Sequence, residues 1–151
     1  MTESLSDLFA TAQSPVVEWN GEQILALYEF DRIPDMITVD LLAAKKYPVQ
    51  GLKMKIHNGL LKVNDVESRD LVLWRDTRPD QVAVRITKSG ARTSLKFWNV
   101  WRGGLGVTQA WLGNSAMRVR RGDTGDVLLV SCSDGQGDAD FDDLQVRLTV
   151  G

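Results

Sequence analysis

A chain of 151 residues with 43% hydrophobic and 25% charged side chains has the balance of one ordinary globular domain with a sizeable core. Its net charge of −2 supplies no overall attraction to nucleic acid. The lone cysteine, Cys132, excludes an internal disulfide and, at the end of the apolar run "DVLLVSC", reads as a small buried hydrophobe.

The N-terminal stretch "MTESLSDLFATAQSP" has neither a basic start nor a long apolar run, which argues against a secretory signal. No segment approaches the roughly 18 apolar residues of a membrane span. The expectation is a soluble, cytoplasmically made protein of one domain over 1–151, with residues 1–15 as an N-terminal helix or arm. Within that arm, residues 3–12 place Leu5, Leu8 and Phe9 on one helical face, and Pro15 would end the helix.

After Pro15 the pattern is mostly strand-like. "QILALYEF" and "LKMKIHNGLLKV" alternate or carry short apolar runs, and Asn58-Gly59 inside the second predicts a hairpin turn. "PDMITVDLLAAKKYP" alternates at Ile37, Val39 and Leu41. Its "DLLAAKKY" also suits a helix, but strand is preferred because its neighbours are strands. "DLVLW", "QVAVRI", "SLKFWNVW", "AMRVR", "VLLVSC" and "LQVRLTV" follow, separated by "RDTRPD", "KSGA", "RGGLG", "RGDTGD" and "SDGQGDAD". Many short strands with Gly, Pro and Asp turns predict an all-β fold, an antiparallel, jelly-roll-like β-sandwich with a short N-terminal helix.

The last of those turns is exceptional. Asp134, Asp138, Asp140, Asp142 and Asp143 fall within ten residues, with no Lys or Arg among them. Without these five, 15 acids face 18 bases, so the acidity of the chain is local. Two unit charges about 4 Å apart repel by roughly 1 kcal/mol in water and about 4 kcal/mol at an effective dielectric near 20. A bound cation would turn that repulsion into attraction. The donors are hard oxygens without imidazole, which favours calcium over zinc. Alternating carboxylates in a straight strand lie about 6.6 Å apart, so the chain must curl at Gly135 and Gly137, or two ions must sit side by side. An EF-hand is excluded, because Asp143 stands at its glycine position and Thr149 at its glutamate position.

"SDGQGDADFDDLQVRLTVG" resembles the C-terminal segment of bacterial two-calcium lectins that bind fucose and mannose, and the calcium-binding endings of related β-sandwich modules. The resemblance covers about 19 residues. It implies that Asp138, Asp140, Asp142 and Asp143 are calcium ligands, with Asp134 in place of the family's glutamate and Phe141 at its aromatic position. It further implies one or two calcium ions, completed by sugar hydroxyls, and a homo-oligomer in which the terminal carboxylate of Gly151 reaches a neighbour.

Trp98, Trp101 and Trp111 in "KFWNVWRGGLGVTQAWLGN" are the expected ligand-binding residues. Alternation puts Phe97, Asn99 and Trp101 on one strand face and Trp98, Val100 and Arg102 on the other; one aromatic face is expected to be core, and the other either joins the core edge as well or lies open beside the glycine loop to stack on a sugar or partner. Arg118 and Arg120 share a solvent face, and Arg121-Gly122-Asp123 reads as a turn. His57 has no catalytic partner in the sequence. The expected function is a non-enzymatic, calcium-binding, lectin-like module for a carbohydrate or glycoconjugate, with no nucleic-acid or membrane partner. The alternative is a protein-interaction module whose acidic loop is structural, with or without calcium.

Overall fold

The computed structural model describes residues 3–76 and 80–151, so Thr77 to Pro79 of the expected "RDTRPD" turn lie outside the described residues. Among the described residues one α-helix, α1 (Leu5–Ala12), precedes fourteen strands: β1 (Val16–Trp19), β2 (Glu22–Leu25), β3 (Tyr28–Glu29), β4 (Met36–Ala44), β5 (Gln50–His57), β6 (Gly59–Val63), β7 (Val66–Ser68), β8 (Asp70–Trp74), β9 (Gln81–Lys88), β10 (Ser94–Arg102), β11 (Thr108–Gln109), β12 (Ala116–Arg121), β13 (Val127–Ser133) and β14 (Leu144–Val150). They form an antiparallel sandwich. A nine-stranded sheet runs β1-β2-β12-β13-β14-β4-β9-β6-β7, and a smaller sheet runs β11-β10-β5-β8, with β3 also paired to β10. No described helix is long and apolar enough to cross a membrane.

Period-two patterning fixes which face of each strand turns inward. Ile37 and Val39, Val82, Val84 and Ile86, Leu128 and Val130, and Leu144, Val146 and Leu148 all enter one core cluster, facing Leu52, Met54, Ile56, Leu95 and Phe97 of the smaller sheet. Cys132 joins the same cluster, as its sequence context predicted, and burial pushes its thiol far above the ordinary range. The segment from Met36 to Ala44 is strand, as preferred from its neighbours.

The helix starts where Ser4 accepts from the Asp7 N–H while the Asp7 carboxylate accepts from the Ser4 N–H, a reciprocal capping box. It ends at Gln13, whose backbone is left-handed (φ 50°), two residues before Pro15. Leu5 is buried in a second, smaller cluster with Ile24, Ala116 and Phe141, against which Leu8, Phe9 and Trp19 pack. The helix thus seals the outer face of β2 and β12, and Phe141 ties the acidic loop to that seal.

Asn58-Gly59 does not make the expected hairpin. β5 belongs to the smaller sheet and β6 to the larger, so the dipeptide is a corner where the chain changes sheets. Asn58 supplies the left-handed turn (φ 57°), and Gly59 packs against β9. A Cβ on Gly59 would stand 2.6 Å from the Thr87 carbonyl oxygen and 2.7 Å from Ile56 Cδ1. Gly59→Ala is therefore expected to cost about 1–3 kcal/mol by overpacking, measured as a shift in the denaturant midpoint. The left-handed two-residue hairpin turns occur instead at Asn20-Gly21 and Asn64-Asp65.

Candidate functional site

A bulge in β4 prepares the acidic end of the sandwich. Val146 of β14 pairs with Leu41 and Gln145 with Ala43, leaving Leu42 unpaired. The extra residue changes the inward parity, so that Ala44 faces Leu144 and the chain continues into Lys45, whose N–H donates to the Asp143 carbonyl at 3.0 Å. The Lys45 side chain then reaches both buried acids: its Nζ lies 2.8 Å from Asp134 Oδ2 and 3.3 Å from Asp143 Oδ1.

Every oxygen of this pair is engaged. Asp134 Oδ1 accepts from the Gln136 N–H at 2.9 Å, and Oδ2 also accepts from Gln50 Nε2 at 2.8 Å. Asp143 Oδ2 accepts from the Asp134 N–H at 3.0 Å. Beneath them, Asn99 Nδ2 donates to the Ser133 carbonyl, and Ser133 Oγ accepts from the Asp140 N–H. Gln50, Asn99, Ser133, Asp134 and Asp143 are all buried. Burial raises the Asp143 pKa, helped by the charge of Asp134 and only partly opposed by the Asp134 N–H and by Lys45. Burial works against the Lys45 ammonium, but hydrogen bonding and charge from Asp134 and Asp143 outweigh it and hold its pKa above the ordinary value.

The five aspartates therefore divide. Asp134 and Asp143 close on Lys45, whereas Asp138, Asp140 and Asp142 are exposed. Asp140 Oδ1 accepts from the Asp142 N–H at 2.9 Å, and Asp142 Oδ1 accepts from Gln145 Nε2 at 2.7 Å. Among the described residues no three His, Cys, Asp or Glu side chains are grouped to hold a metal ion. The cation that lies between Asp134 and Asp143 in this structure is an ammonium of the chain itself, that of Lys45. Phe141, between the aspartates, is buried with Trp19 at a centroid distance of 6.1 Å, and the Arg118 guanidinium covers its ring at 4.1 Å. Arg118 and Arg120 both pair with Glu22.

The three tryptophans also divide. Trp101 is 1% exposed and Trp98 is 7% exposed, while Trp111 is 45% exposed. Trp101 lies against Gly135 of the acidic loop, so closely that a Cβ there would collide with its ring and lie 2.6 Å from the Leu112 carbonyl oxygen. Close approach is what requires Gly135, whereas the left-handed backbone of the turn falls on Gly137 (φ 77°). Trp98 turns to the outer face of the smaller sheet, where Trp111 leans on it with centroids 4.8 Å apart. Trp111 is held there by a left-handed backbone (φ 58°), unusual for a bulky residue, and by its indole N–H, which donates to the Ala26 carbonyl at 2.8 Å.

Trp98 and Trp111 line an open groove of about 430 Å³ with Leu27, Lys55, His57, Ser94 and Lys96. Lys53 stands over Trp98, with Nζ 5.7 Å from the ring centroid. Across Trp111 and Leu27 lies a second, largely apolar hollow of about 340 Å³ bordered by Phe9, Ala10 and Ala26. Sequence alternation put Trp98 and Trp101 on opposite faces, as they are, without choosing which turns outward, and nothing local marked Lys55, His57, Ser94 and Lys96 as neighbours of Trp98. They join it through the pairing of β5 with β10.

Fold and groove together define an antiparallel β-sandwich, sealed at one side by a short helix, with an aromatic-floored groove on its smaller sheet. Comparison of the chain with protein-family models, curated proteins and solved structures finds no match.

Proposed function

We propose that the protein is a non-enzymatic binding module that takes a carbohydrate or glycoconjugate in the Trp98/Trp111 groove, and that its acidic loop is a structural brace. The observation that carries this reading is Trp111. One side of its ring rests on Trp98, its N–H is already satisfied, and nearly half of the residue remains open to solvent. A platform fixed before the ligand arrives loses little side-chain entropy on binding. Around it, His57, Ser94, Lys55 and Lys96 present hydrogen-bonding groups beside an aromatic surface, the combination that suits a ring with one apolar face and polar substituents.

Calcium, if it enters the loop, must use the exposed carboxylates of Asp138, Asp140 and Asp142, since Asp134 and Asp143 are engaged by Lys45. A glycan array followed by calorimetry tests the proposal. Trp111→Ala should weaken glycan binding at least tenfold while moving the melting temperature by only a few degrees, because the side chain is half outside the core. Absence of binding to any glycan, or full affinity in Trp111→Ala, overturns it.

A further inference from the structure

Resting on the proposed saccharide groove, we propose that its ligand is an acidic saccharide whose negative group sits between Lys55 and Lys96. In the pairing of β5 with β10, Lys55 lies directly opposite Lys96, and Lys53 directly opposite Trp98. Residues two apart on a strand share a face, so three lysines and Trp98 occupy four adjoining positions on the outside of the smaller sheet. Directly opposed residues bring their Cβ atoms to about 4.5–5.5 Å, and like charges there repel.

Acids flank this group, but its three lysines outnumber the two of them. Glu29 of β3 pairs with Lys96 in register, and Asp70 of β8 pairs with Lys55. Both acids lie on the far sides of the lysines. Among the described residues, neither Lys55 nor Lys96 is in an ion pair within 4.0 Å. The contrast with Lys45 is direct, because that lysine is enclosed by two carboxylates. An arrangement that keeps two ammonium groups opposed, beside an open aromatic floor, is relieved by an anion from outside. A sugar ring on Trp111 with a carboxylate or sulfate over the lysine pair meets both features at once.

The test is a glycan array of matched acidic and neutral oligosaccharides, with uronate, sialyl and sulfated members, followed by titrations at low and high salt. Acidic members should bind at least tenfold more tightly than their neutral counterparts, and the preference should shrink as salt rises. The double variant Lys55→Gln/Lys96→Gln should erase the preference, so that acidic and neutral members bind alike at whatever affinity the remaining groove contacts supply. Its melting temperature should change little, because the lost Lys55–Lys96 repulsion is offset by the lost pairing with Glu29 and Asp70. If neutral members bind as tightly as acidic ones, or the double variant keeps the preference, the acidic ligand is refuted and the saccharide groove stands. If no member binds, the saccharide groove itself falls, and this inference with it. Comparing uronate with sulfated members identifies which anion the lysines accept.

Discussion

Lys45→Met should destabilise the protein by about 2–4 kcal/mol at neutral pH. Removing one partner from a buried ion pair costs about 3–5 kcal/mol, and the lower range applies here because the Lys45 side chain is 34% exposed and partly screened. Asp134 and Asp143 would be left facing each other, both buried, with no counter-charge between them. Denaturant melts against pH check the assignment. Lys45 has a raised pKa, so its contribution is complete below the ordinary 10.5 and is lost as pH rises through the higher folded value. The variant should therefore have a flatter alkaline limb than the parent. Asp143 acts in the opposite sense to an ordinary ion-paired carboxylate. Its pKa is raised above 3.8, so the folded state binds its proton more tightly, and this group lowers stability as pH rises through that interval. Lys45→Met should strengthen that trend and regain stability on acidification. The same melts in millimolar calcium and in chelator assign the loop's counter-cation. Coincident curves for the parent assign the role to Lys45, and an upward shift in calcium adds an ion at Asp138, Asp140 and Asp142. A Lys45→Met loss below about 1 kcal/mol would remove the brace from the account.

Trp101→Ala should cost about 3–5 kcal/mol, among the largest effects of any single truncation in the chain. The ring is 1% exposed, its Nε1 donates to Gln109 Oε1 at 3.2 Å, and Gly135 is packed directly on it. Its removal leaves a cavity under the acidic loop and frees the turn that sets Asp134 beside Lys45. Equilibrium unfolding should show the loss, and glycan titration of the remaining folded fraction should show nearly unchanged affinity. Trp111→Ala should do the reverse, with a small stability change and lost binding. If Trp101→Ala were mild in stability yet abolished binding, Trp101 would be a ligand contact after all, and the division of the tryptophans would be wrong.

Strand patterning was legible because it is local. Alternation at Ile37 and Val39, at Val82, Val84 and Ile86, and at Leu144, Val146 and Leu148 specifies an inward face whatever the neighbouring strand. The helix was legible for the same reason, from the spacing of Leu5, Leu8 and Phe9. Asn58-Gly59 was misleading because a left-handed dipeptide permits a tight reversal but does not choose between a hairpin and a sheet-to-sheet corner. That choice depends on whether β6 buries Leu61 against β9 or beside β5, which is a matter of the whole core.

By itself, then, the sequence determined the class of fold, the strand faces and the local acidity of one loop, which raises the question of a counter-charge. It could not say which cation supplies it. Lys45 is 89 residues from Asp134 in the chain and meets it only because β4 pairs with β14 and bulges at Leu42. Nor could it separate Trp101 from Trp111, ten residues apart in one aromatic segment. Their fates depend on which side of the smaller sheet each faces and on what covers it there: Gly135 over one, only solvent over the other. Side-chain period is written along the chain, whereas electrostatic partners and solvent exposure arise from non-local pairing, and only the tertiary structure decides those.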